Sequence, residues 1–181
     1  GDDTITLSNY IGTSTDLVLP DELDGKTVKT IGFEAFKLKG LTSVTIPEEI
    51  EIIMDNAFRY NNLTSITIPR NVNSIGEYAF SGNQIASVTI LNPNLVLPST
   101  FLTNNADEIT INGYDGSTAE TYATSNGYTF SSLGPAPAPE PVSNDVTVTG
   151  NVYATVLDFS VPLEVTFVID PNQSNPQDRF I

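Results

Sequence analysis

The chain has 181 residues, 39% of them apolar, which is enough for one ordinary domain or two small ones. It contains no cysteine, histidine or tryptophan, and this excludes thiol and histidine catalysis, zinc sites built on those ligands and haem ligation by them. Its 22 acidic and 7 basic residues give a net charge of −15, so the chain would repel a phosphate backbone, and we expect no nucleic-acid partner.

A repeat of 22 residues organises most of the chain. A first strand is predicted at Asp16–Pro20, and an inserted loop follows it. Three units then align without gaps, each an Ile-x-x-x-Ala-Phe segment followed by a strand segment, and they are Ile31–Pro47, Ile53–Pro69 and Ile75–Ile90. A degenerate fourth unit places Phe101 in the Phe position and Ala106–Ile111 in the strand position, at a spacing of 21 residues.

The strand segments alternate in a way that assigns each side chain to a face. Successive residues of a strand point to opposite sides, so Val44 and Ile46 are predicted to face inward while Ser43 and Thr45 face outward. Pro47 ends the strand because it has no N–H to donate. The Ala-Phe pair is expected on a short helical turn. Stacked coils would align an inner ladder and an aromatic column, consisting of Leu19, Ile46, Ile68, Ile90 and Ile111, and of Phe36, Phe58, Phe80 and Phe101.

The outward strand positions form the first candidate binding face. Its predicted residues are Ser43, Thr45, Ser65, Thr67, Ser87, Thr89, Glu108 and Thr110, with Glu108 in the Ser column. One interpretation is a flat recognition face, as on other solenoids. The other is that hydroxyl residues simply suit exposed strands.

Exposed aromatic residues are the second candidate. Phe33, Tyr60 and Tyr78 occupy variable positions of the repeat and are predicted either to anchor a partner or to cover neighbouring coils. The acidic clusters, such as the one at Asp21, Glu22 and Asp24, are interpreted as solvated loop charges. That cluster lacks the residue order of a calcium loop, so no metal, cofactor or catalytic residue is predicted.

The Ile-Gly-x-x-Ala-Phe and Leu-Thr-Ser-Val-Thr-Ile-Pro units resemble the BspA-like leucine-rich repeats of bacterial surface proteins, over roughly Thr4 to Phe130. This resemblance implies an N-terminal cap from Tyr10 to Lys26 and a C-terminal cap from Gly116 to Phe130. Within the second cap, Ser117 is predicted as a helix N-cap, Ala119–Ser125 as a short helix and Gly127 as its C-terminal αL residue.

A composition change marks the end of the repeat region. Residues 131–144 contain four prolines, which alternate with other residues over 135–141, and predict either a polyproline II spacer or a disordered linker. Residues 145–181 carry β-branched runs typical of a β-sandwich. Since they are too few for a lone domain, we expect further chain beyond Ile181, or strand pairing with the solenoid or with another copy.

The sequence therefore predicts an α/β solenoid, a short right-handed leucine-rich stack with a parallel sheet (1–130), followed by a linker (131–144) and an incomplete β-sandwich (145–181). The resemblance implies a non-enzymatic, secreted or surface-displayed adhesion module that binds host or neighbouring-cell proteins, such as extracellular matrix, without membrane insertion. Zero cysteine fits a Gram-positive exterior or a reducing compartment. Two alternatives stay open: a structural stalk, and an accessory domain of a larger surface protein or carbohydrate-active enzyme.

Overall fold

A computed structural model describes residues 3–138 of the chain. Within that range the elements are β1 (Thr4–Leu7), β2 (Asp16–Val18), β3 (Glu22–Leu23), β4 (Lys26–Ile31), β5 (Ser43–Thr45), β6 (Ile52–Ile53), β7 (Ser65–Ile68), β8 (Ser74–Ile75), β9 (Ser87–Ile90), β10 (Thr110–Asp115), α1 (Thr118–Asn126) and β11 (Thr129–Pro135). The predicted module 145–181 and its strand pairing lie outside the described residues.

The strands stack as parallel sheets, and this confirms the predicted solenoid. One sheet has the order β1-β4-β6-β8, with β3 added antiparallel to β4. A second sheet has the order β7-β9-β10-β11, and β2 and β5 form a separate parallel pair in the preceding coils. From β4 to β9 the two kinds of strand alternate along the chain, so each of these coils contributes one strand to each side, and the apolar core lies inside the coils.

The stacking register confirms the 22-residue period for three coils and corrects the fourth. Ser65 pairs with Ser87 at the predicted spacing. Thr110, however, pairs with Ser87 and Ile111 with Val88, a spacing of 23 rather than the predicted 21. The chain therefore carries one extra residue before β10. Because the two registers differ by two residues, Ile111 still faces inward, but it joins the Val88 ladder instead of the Ile90 ladder.

The turn side of the coils is simpler than the predicted helical turns. Isolated i to i+3 hydrogen bonds close each Ala-Phe segment, and the last bond of the segment runs from Arg59 N to Asn56 O (3.1 Å) and, one coil later, from Ser81 N to Tyr78 O (3.1 Å). The residues that begin these bonds have a left-handed backbone, with φ of 58° at Asn56 and 57° at Tyr78. A helix cannot continue through such residues, so α1 is the only helix in the described part of the chain.

The aromatic column forms as predicted. The ring centroids of Phe36 and Phe58 are 5.1 Å apart, and those of Phe58 and Phe80 are 5.0 Å apart, with interplanar angles of 10° and 14°. Phe101 continues the column edge-on at 5.5 Å from Phe80. Tyr10 stacks on the first ring at 5.7 Å. The coils therefore share a continuous apolar interior, each covering the next.

Three asparagines form a second, polar column beside the rings. Asn61, Asn83 and Asn105 recur every 22 residues. Asn83 donates from Nδ2 to the carbonyl oxygens of Phe58 (3.1 Å) and Phe80 (2.9 Å), and its Oδ1 accepts from the N–H of Leu63 (3.1 Å). Each asparagine thus joins two successive turns and the strand that begins beside them, and satisfies backbone groups that burial would otherwise leave unpaired.

The sheet that contains β4 ends at β8 because of one proline. The ladder is closed in three successive coils by Gly32 N to Leu7 O (2.8 Å), by Met54 N to Ile31 O (2.9 Å) and by Gly76 N to Ile53 O (2.8 Å). The next residue in this position is Pro98, which has no N–H to offer Ile75 O. The fourth coil consequently leaves this sheet, while the opposite sheet continues to β11.

The C-terminal end is closed by α1 as predicted. The Ser117 side chain accepts from Glu120 N at the helix N-terminus, and Gly127 ends the helix with a φ of 73°. Tyr122 packs against Phe101 at a centroid distance of 6.1 Å, and burial, aided by Tyr128, raises the pKa of its hydroxyl. β11 then runs to Pro135, so residues 131–135, assigned to the linker from sequence, extend the sheet.

We expect Phe58→Ala to lower the free energy of unfolding by about 3–5 kcal/mol, because it empties the centre of the ring column. Urea denaturation followed by circular dichroism measures this. Phe33→Ala is the matched control, since the Phe33 side chain is 59% exposed and its loss should change stability by less than about 0.5 kcal/mol. Equal effects of the two substitutions would contradict the prediction that the ring column stabilises the fold.

We expect Asn83→Ala to cost about 1–3 kcal/mol, because it leaves the buried N–H of Leu63 without a partner. It also removes one of the two donors to each of the carbonyl oxygens of Phe58 and Phe80, which keep Asn61 and Asn105 respectively. Asn73→Ala removes an exposed amide at the surface and should be nearly neutral. Urea denaturation compares the two variants. A loss below about 1 kcal/mol for Asn83→Ala would contradict the prediction and indicate that water takes over the hydrogen bonds of the Asn83 side chain.

Candidate binding surfaces

The outward strand face contains seven of its eight predicted residues in two columns. Ser65, Ser87 and Thr110 are neighbours across three strands, and Thr67 lies beside Thr89. Ser43 and Thr45 lie on β5 in the preceding coil. Glu108 is the exception. It precedes β10, and the extra residue in that coil gives the place beside Ser87 to Thr110, so the prediction that put Glu108 in the Ser column is wrong.

Two polar residues at the ends of this face were not among the predicted site residues. Asn112 lies beside Thr89 and donates from Nδ2 to Ser87 Oγ and to Val88 O, both at 3.1 Å. Asp16 lies beside Ser43 and accepts a hydrogen bond from its hydroxyl. The position of Asp16 beside Ser43 could have been found by aligning the first strand with the repeat. The position of Asn112 beside Thr89 could be found only from the observed register of β10.

Solvent reaches only part of the face. Ser43, Thr45, Ser65 and Thr67 are exposed, whereas Ser87, Thr89 and Thr110 are half-buried. The exposed hydroxyls lie on β5 and β7, in neighbouring coils but in different sheets, and each offers both a hydrogen-bond donor and an acceptor. None of these residues lines either of the two cavities, of about 240 and 360 Å³, found elsewhere on the surface. The arrangement suits contact with another surface rather than enclosure of a small molecule.

The structure brings two of the three predicted aromatic anchors together. Tyr60 and Tyr78 flank Arg59, whose Cζ lies 4.5 Å from one ring centroid and 4.9 Å from the other. Phe33 instead lines the 240 Å³ cavity, together with Met54 and Gly76. The aromatic residues therefore form one cluster and one separate exposed ring, not a single patch.

The part of the chain that the structure describes contains neither a group of residues placed to bind a metal nor a membrane-spanning helix. Lys29 pairs with Glu51 at 2.7 Å, and Lys37 pairs with Glu34. No group of three or more acidic residues among residues 3–138 is placed to hold a metal ion. No helix in that range is long and apolar enough to span a bilayer.

Known proteins share the repeat of this chain. The sequence pattern of the BspA type leucine rich repeat region matches residues 25–131 in six copies, more than half of the chain. Among solved structures, the chain is similar to a T. pallidum leucine-rich repeat protein, TpLRR, at 18% identity and a TM-score of 0.33, over 71% of this chain and 91% of that chain. No curated protein matches the sequence significantly.

The repeat match carries general consequences. Leucine-rich repeat families are generally binding or scaffold modules without catalytic activity, and BspA-type proteins are typically secreted or displayed on the cell surface. The match extends from the start of β4 to β11 and includes the ring column and the asparagine column. By this match the chain belongs to the BspA-type leucine-rich repeat family.

Proposed function

We propose that this chain is a surface-displayed or secreted adhesion module that recognises a protein of a host or a neighbouring cell. The observation that carries the proposal is the exposed hydroxyl array on β5 and β7, a polar surface whose residues line neither of the two described cavities. A surface outside a cavity can meet another protein surface but does not enclose a small ligand. The family membership supports a role in protein interaction.

The charge of the chain restricts the partner. A net charge of −15 favours association with a surface of positive potential and disfavours a polyanion. Lysine-rich and arginine-rich regions of extracellular matrix proteins have this character. We therefore place basic matrix proteins first among the partners to be tested.

A stalk or an accessory domain of a larger surface protein or carbohydrate-active enzyme is the second candidate. It is favoured by hydrogen bonds within the hydroxyl columns, since Ser43 bonds to Asp16 and Asn112 bonds to Ser87. Polar groups engaged in this way serve the stacking of coils and are less available to a partner. A stalk predicts no partner for the strand face.

The adhesion proposal predicts that a bulky cation on the strand face abolishes partner binding. The full chain is applied to an array of matrix and host-surface proteins, and each binding protein is then tested against Thr67→Arg. Thr67 points outward from β7 and is exposed, so the fold should persist while affinity falls at least about tenfold.

Asn73→Arg supplies the same charge at an exposed position just before β8, in the other sheet, and should bind like the natural sequence. Thermal melts confirm that both variants fold. Equal binding by the two variants would place the contact elsewhere, and an absence of binding across the array would favour the stalk.

A further inference from the structure

A cluster on the turn side of the solenoid combines a cation with two exposed aromatic rings. It consists of Arg59, Tyr60 and Tyr78, and we call it the Arg59 cluster. The guanidinium lies between the two tyrosine rings, which come from successive coils. Tyrosine and arginine are the residue types most enriched where binding energy concentrates in interfaces.

The guanidinium keeps part of its hydrogen-bonding capacity free. Nη1 donates to Asn56 Oδ1 at 3.0 Å, and Nη2 donates to the hydroxyl of Tyr60 at 2.8 Å. Each of these nitrogens carries a second N–H, and the two together match the oxygens of one carboxylate. Within residues 3–138, no carboxylate lies within ion-pair distance of Arg59, although both described ion pairs of the chain join lysines to glutamates.

The tyrosines occupy positions that tyrosine does not favour. Tyr60 has a φ of 59° and Tyr78 a φ of 57°, a left-handed conformation that costs a side-chain-bearing residue roughly 1–2 kcal/mol. The coil after Tyr60 has Gly82 in the same position, which adopts this conformation without strain. Turn geometry alone therefore does not explain two tyrosines that remain 41% and 37% exposed.

An exposed apolar side chain adjoins the cluster. Leu38 is 68% exposed, and its backbone N–H donates to Arg59 O at 3.0 Å, which places it on the preceding coil beside the cluster. The surface thus combines one cation with aromatic and aliphatic groups. In a chain of net charge −15, a single cation favours one isolated carboxylate and not a run of acidic groups.

We propose that the Arg59 cluster is a docking site for a protein segment that presents one Glu or Asp side chain next to an apolar residue. The carboxylate takes the two free N–H groups of Arg59, and the apolar residue packs on Leu38 and the edges of the tyrosine rings. This inference rests on the proposed protein-binding function and adds a second, independent contact surface to the strand face.

The test uses the full chain and blocked octapeptides in which one Glu is flanked by Leu, Phe or Tyr. Each peptide is paired with its Gln counterpart, and a heparin fragment serves as a polyanion. We expect peptides of the Glu set to bind, with affinity falling about tenfold in the Gln counterparts. We also expect the side-chain NMR signals of Arg59 to shift on binding.

Arg59→Gln should abolish the preference for Glu, and Arg70→Gln, with the same charge change outside the cluster, should retain it. Thermal melts verify the fold of both variants, and Tyr78→Ser provides a second test with the charge intact. The proposal is overturned if no Glu peptide binds, if Glu and Gln peptides bind equally, if Arg59 signals stay unchanged, or if heparin alone binds through Arg59.

The two proposals can fail separately. If no peptide binds while Thr67→Arg still weakens partner binding, the docking proposal for the Arg59 cluster fails and the strand face remains as the binding surface. Peptide binding that depends on Arg59, without any partner on the protein array, would remove the adhesion proposal and leave a peptide-docking surface.

Discussion

The buried end of each turn is the constraint on which the rest of the solenoid depends. After each phenylalanine ring enters the core, its backbone carbonyl is buried and still needs a hydrogen-bond donor. The asparagine three residues later donates to this carbonyl and to that of the preceding coil, as Asn83 does for Phe80 and Phe58. The ring column contributes apolar burial, and the asparagine column keeps that burial from leaving polar atoms unpaired.

The two sides of the coil respond differently to the end of the stack. On one side, Pro98 removes a donor and the sheet ends at β8. On the other, the strands continue through β10 to β11, and α1 covers the last ring. The extra residue precedes β10, so the strand itself keeps its inward and outward faces, while Thr110 rather than Glu108 comes to lie beside Ser87. The outward face therefore survives an irregular coil.

Much of this architecture could be predicted from the sequence, because its determinants are local and repeat. The Phe positions, the alternation in β5, β7 and β9, and the caps of α1 follow from residue type and spacing. The register of the fourth coil could not, since one inserted residue can be placed only when the hydrogen bonds of Asn105 and Thr110 are known. The asparagine column was visible as a spacing, but its role depends on carbonyls whose burial is a tertiary property.

The two candidate sites differ in the same way, since one follows from the repeat and the other from tertiary packing. The strand face is a direct product of the repeat, so its residues could be named from alternation, apart from Glu108. The Arg59 cluster joins residues of two coils through side-chain packing, and no sequence spacing specifies that Arg59 lies between Tyr60 and Tyr78. The columns of identical residues on the strands follow from stacking, so they distinguish poorly between partners. The turn positions differ from coil to coil, since Leu38, Tyr60 and Gly82 occupy the same left-handed position in successive coils. Specificity in a solenoid of this kind is therefore more readily built from its turns than from its strands.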